Sequence, residues 1–86
     1  MKSVIRYQIN EIVESQGYDG KAGKIVPQKE AKMNVVYTSN PDDPNYTYGH
    51  LSSGSTQSLK TINPDVYNAW FVGAIVEQEM TVLPKE

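Results

Sequence analysis

The sequence predicts a mainly β domain: a small antiparallel barrel or sandwich of four to five strands, with one short helix near residues 64–70. Three observations predict it. Apolar residues recur with period two in several separate segments. Polar turn formers punctuate the chain at near-regular spacing. Helix-start chemistry is concentrated at one place, Asn63-Pro64-Asp65. Eighty-six residues leave room for one core, so residues 1–86 are expected to form a single domain.

The first strand is expected over 3–14. Ile5, Tyr7, Ile9 and Val13 share one face and Arg6, Gln8 and Asn10 the other. Glu11 and Ile12 break the alternation, and a bulge near Asn10–Glu11 restores it. "SQGYDGKAGK" (15–24) follows as a turn region with three glycines. A central strand is expected over 31–38, with Ala31, Met33, Val35 and Tyr37 on one face.

Residues 40–58, "NPDDPNYTYGHLSSGSTQS", interrupt the strands. Pro41 and Pro44 cannot donate to a ladder, and Asp42-Asp43 favours turns. Asn45–Leu51 suits either a short strand or a single turn, and Ser52–Ser55 another turn. A strand over 56–62 sets Thr56, Ser58 and Lys60 opposite Leu59 and Thr61. Asn63 then caps a helix with Pro64 at its first position and Asp65 near its positive end. Val66, Ala69 and Trp70 form its apolar face; Trp70 and Phe71 are expected to be buried, and Gly73 stops it. The last strand, 74–83, sets Val76, Met80 and Val82 against Glu77 and Glu79 before Pro84.

Composition removes several chemistries. With no cysteine there is no disulfide, thiolate metal site or cysteine nucleophile. The net charge of −2 argues against a general nucleic-acid binder. The charge is uneven: six cations face four acids in residues 1–39, and two face six in residues 40–86. Such polarity can orient head-to-tail contacts between copies, or arise by chance in a short chain. No apolar signal region accompanies Arg6, so no signal peptide is expected. "AWFVGAIV" (69–76) is too short to cross a bilayer, so no membrane partner is expected. The sequon Asn45-Tyr46-Thr47 is idle without a secretory route.

No motif for catalysis stands out. Lys21, Lys24, Lys29 and Lys32 cluster near glycines, but no Gly-Lys-Ser/Thr opens a helix, which favours a solvated hairpin over a phosphate loop. His50 lies near Ser52, Ser53 and Ser55, yet neighbours on one loop rarely reach base–nucleophile geometry with an orienting acid. "NPDDPN" (40–45) lacks the downstream bidentate glutamate of a calcium loop. Glu77 and Glu79 share a face, where acids more often mark a solvated edge strand than acid–base work. No metal or cofactor is expected, and the protein is not expected to be an enzyme. An OB-like surface stacking bases on Tyr18, Tyr46 or Tyr48 is the nucleic-acid alternative, opposed by the acidic balance and single arginine. There remains binding by the loop itself, through Tyr46, Tyr48, His50, Ser52 and Ser53: tyrosines give rigid contact area and serines adaptable hydrogen bonds. The same tyrosines could equally close the end of a barrel.

From Ser53 onward the chain resembles a family of small β-rich proteins of tailed bacteriophages. The residues that carry this are Ser53-Gly54-Ser55, Leu59, Thr61-Ile62-Asn63-Pro64 and Phe71-x-Gly73, in the order turn, strand, short helix, turn and final strand. These motifs are structural, and no functional residue carries over. The resemblance implies a phage protein in the virion or the host cytoplasm. The expectation is a small virion component of the capsid-decoration or cement type, touching capsid protein or copies of itself. The alternative is an inhibitor or sponge that binds a host-defence protein or a small nucleotide.

Overall fold

The computed structural model describes residues 2–85. Four strands and two single-turn helices follow one another: β1 (Lys2–Asp19), β2 (Lys24–Val35), α1 (Tyr46–Gly49), β3 (Thr56–Thr61), α2 (Pro64–Tyr67) and β4 (Ile75–Thr81). They form one antiparallel sheet in the order β3-β2-β1-β4. The fold is mainly β, as expected, but the sheet is open. β3 pairs with Lys29–Asn34 of β2, and β4 with Lys2–Gln8 of β1. β4 thus flanks one end of the long central pair and β3 its middle, and the barrel or sandwich closure expected from the strand count does not occur.

The expected bulge is present. Ile9 pairs with Met33 and Glu11 with Lys32, so Asn10 is the extra residue. Its effect is to return Ile12 to the core face opposite Ala31. That face carries the core: Ile5, Tyr7, Ile9, Ala31, Met33 and Val35 from the sheet, with Ala74 from the approach to β4. Ile12, Tyr48, Trp70 and Val76 pack at its margin. The other face is polar, laced by cross-strand ion pairs such as Lys32–Glu11 at 3.3 Å and Lys2–Glu79 at 3.3 Å.

Several expected boundaries move. Residues 15–19, assigned to a turn, are strand: the true turn is Gly20–Gly23, where Gly23 has φ 67° and the Asp19 carboxylate accepts from Lys21 N. β1 and β2 therefore project as a two-stranded ribbon beyond the reach of β3 and β4, with Lys29–Glu14 at 3.4 Å at its base and a Gln28–Ser15 hydrogen bond of 3.1 Å within it. β2 ends at Val35, which leaves Tyr37 exposed instead of on the core face. The helix expected over 64–70 is a single turn over Pro64–Tyr67. Its cap is as anticipated, the Asn63 side chain accepting from Asp65 N. The apolar face is not: Val66 is exposed, and only Trp70 reaches the core. Phe71, expected to be buried, is 64% exposed because the chain turns outward into Gly73, φ 93°.

The molecule is flat. Its extents are 46 × 38 × 18 Å and its radius of gyration is 15.4 Å, against about 12 Å for a compact domain of this length.

Candidate functional site

The segment between β2 and β3 builds the one elaborate loop of the described residues. Short polar side chains fold it locally, each accepting a backbone N–H two residues ahead. Thr38 Oγ1 accepts from Asn40 N, Asn40 Oδ1 from Asp42 N, and Asp43 Oδ1 from Asn45 N at 2.9 Å. This cascade delivers Asn45 into the sheet. Asn45 Oδ1 accepts from Arg6 N at 2.8 Å, and its Nδ2 donates to Val36 O at 2.8 Å. Val36 N in turn donates to Arg6 O at 2.9 Å. The carboxamide of Asn45 therefore takes the place of a backbone unit beside β1 where β2 has ended, and it is 1% exposed.

Asn45–Leu51, which suited a strand or a turn, contains the single turn α1. Gly49 N donates back to Asn45 O at 2.7 Å. A Cβ at Gly49 would lie 2.5 Å from both Asn45 Nδ2 and Val36 O, so only glycine permits this approach. Arg6 fixes the loop from outside: its guanidinium reaches Asp43 at 3.0 Å and Glu77 at 2.8 Å. Hydrogen bonding to Glu77 raises Arg6 above its ordinary value, outweighing partial desolvation, and Asp43 acts in the same direction. A raised arginine loses its proton only at still higher pH, so the cation is present throughout the working range.

The five residues singled out in the sequence separate into two groups. Tyr48 packs against the core with its hydroxyl 2.6 Å from Ser3 Oγ, closing the end of the sheet. Ser52 is half-buried, its N–H bonded to Tyr48 O. Tyr46 is half-buried and stacks on exposed His50, ring centroids 4.8 Å apart at 18°. Ser53 is exposed. Tyr46 and His50 thus form one outward aromatic pair, whereas Tyr48 faces inward. Sequence reasoning did not find Asn45, Gly49, Asp43 or Arg6. The one local signal was an asparagine four residues before a glycine in "NYTYG" (45–49).

A second feature is an open groove of about 450 Å³ on the polar face beside the bulge, lined by Asn10, Glu11, Lys32, Asn34, Thr56 and Ser58 among others. The side chains of Asn10 and Asn34 are hydrogen-bonded to each other there. Among the described residues, no three His, Cys, Asp or Glu side chains group as metal ligands. Among them, too, no helix is long and apolar enough to cross a membrane. Glu77 and Glu79 face Arg6 and Lys2, each forming an ion pair across the β1–β4 ladder. No family model, curated protein or solved structure matches the chain.

Proposed function

We propose that this chain is a non-enzymatic binding protein that works as a subunit of a larger assembly, of the small virion-component type that its phage-like motifs imply. One observation carries the reading. The sheet is open and only 18 Å thick, and it leaves large apolar side chains such as Tyr18, Ile25, Tyr37, Leu51 and Phe71 in solvent. An 86-residue chain that leaves this much apolar surface uncovered gains stability by covering it with a partner. The outward Tyr46–His50 pair serves as one contact point, beside Tyr37: Thr38 N bonds to Gly49 O and holds the two segments together. The cations Lys2, Arg6, Lys29 and Lys32 all pair with carboxylates, which disfavours nucleic acid as the partner.

The test is quantitative protein analysis of purified phage particles carrying this chain. The expected result is copurification at a copy number comparable with a shell protein, lost in the Tyr46→Ala, His50→Ala double variant. Absence from particles, with abundant protein in the infected cell, would overturn the reading in favour of a host-directed inhibitor.

A further inference from the structure

Among the described residues, both outer strands of the sheet lack a neighbouring strand, and the two edges differ in kind. β4 presents Glu77 and Glu79 on the polar face. Around them stand two cations, Lys2 and Arg6, and a third carboxylate, Asp43, so this edge carries one uncompensated negative charge. β3, "TQSLKT" (56–61), carries a single charge, Lys60, on the same polar face. Lys60 is registered across from Glu30 but forms no ion pair among the described residues. It is also a β-prone edge with neither proline nor acid to block pairing.

We propose that a second copy of this chain adds its β4 edge to the β3 edge of the first, continuing one antiparallel sheet head to tail. This rests on the assembly reading above and names the partner. Strand direction allows it: alternation along β3-β2-β1-β4 leaves β3 and β4 antiparallel, so a copy in the same orientation meets β3 with an antiparallel strand and the same face outward. Charge selects it: pairing two β4 edges opposes glutamates, and pairing two β3 edges gains no opposite charge. One register satisfies both faces. With Lys60 opposite the neighbour's Glu79, Leu59 falls opposite its Met80 on the core face, and these two are 43% and 42% exposed in the single chain. Lys60 is level with Val13 of β1, through Glu30, and Glu79 is level with Val4. Successive copies are therefore staggered along the strands by eight ladder steps, roughly 25 Å. A head-to-tail contact of this kind continues past the dimer, into a ring or a filament.

The experiment is sedimentation velocity of the whole chain over a concentration series. Wild type is expected to form species larger than a dimer. Lys60→Glu and Glu79→Lys, each with native circular dichroism, are each expected to weaken association by about tenfold or more, because like charges then meet at every junction. Mixing the two variants is expected to restore it, since each junction again joins opposite charges. A wild type that stays monomeric, a dimer that grows no further, or single variants that assemble normally would each overturn the proposal. So would a mixture that stays dissociated. Particle copurification by a monomeric wild type would reject this interface and leave the assembly reading standing.

Discussion

Replacing Asn45 with alanine removes the side chain that completes the sheet beside β1. It strips an acceptor from Arg6 N and a donor from Val36 O, both at 2.8 Å, at a side chain 1% exposed. A buried polar group left without a partner costs about 1–3 kcal/mol. Both backbone groups are part-buried, so the lower half of that range applies, about 2–4 kcal/mol for the pair. A domain of this length holds roughly 4–13 kcal/mol in all. The variant should therefore lose a large share of its stability and melt at least about 8 °C lower, at about 4–8 °C per kcal/mol. Asn45→Asp sharpens the test. It keeps the volume and the acceptor for Arg6 but sets a second oxygen against Val36 O, so it should be no more stable than the alanine variant. The assay is urea unfolding followed by Trp70 fluorescence and far-ultraviolet circular dichroism, with the slope expected to be unchanged. If Asn45→Ala unfolds at the wild-type midpoint, water substitutes for the carboxamide and the loop is not fastened in this way.

Gly49→Ala should destabilise by about 1–3 kcal/mol, since its Cβ meets Asn45 and the Val36 carbonyl; a thermal melt checks this. Tyr48→Phe should cost about 0.5–1.5 kcal/mol through loss of the Ser3 bond, and Ser3→Ala should cost no more on the Tyr48→Phe background, by double-mutant cycle. Trp70→Ala should cost about 2 kcal/mol, below the range for a fully buried ring, whereas Phe71→Ser should leave urea unfolding unchanged. His50→Gln should keep the fold, because the ring is exposed; circular dichroism with particle binding separates that from loss of the Tyr46 contact.

The parts legible in the sequence were those governed by a residue's own neighbours. Period-two alternation marked Ile5, Tyr7 and Ile9 as one face, and the misfit of Glu11 and Ile12 located the bulge at Asn10. Asn63-Pro64-Asp65 marked a helix start. The ribbon was hidden because its apolar residues, Tyr18, Ile25 and Val26, are too few and too scattered among polar residues and glycines to alternate along either strand. Its pairing rests on cross-strand partners such as Glu14–Lys29 and Ser15–Gln28, which no local pattern displays. Closure is not legible for a related reason: it depends on the heights at which β3 and β4 meet the central pair, which are set by pairings between distant segments. Tyr48 and Asn45 look like any loop tyrosine and asparagine until Ser3 and Arg6, 45 and 39 residues away, are brought beside them.

The Asn45 carboxamide also makes one backbone amide a reporter. Arg6 lies mid-strand, between Ile5 and Tyr7, which are registered with Gln78 and Val76 of β4. Its own N–H is held by a loop side chain instead of a strand. Hydrogen exchange at Arg6 should therefore follow loop release, while the amides of Ile5 and Tyr7 wait for the slower opening of the sheet. A binding partner that settles on the loop would slow exchange at Arg6 from the opposite side of the strand, and one that grips the ribbon would leave it untouched. One resolved amide signal thus distinguishes where on this flat molecule a partner has landed.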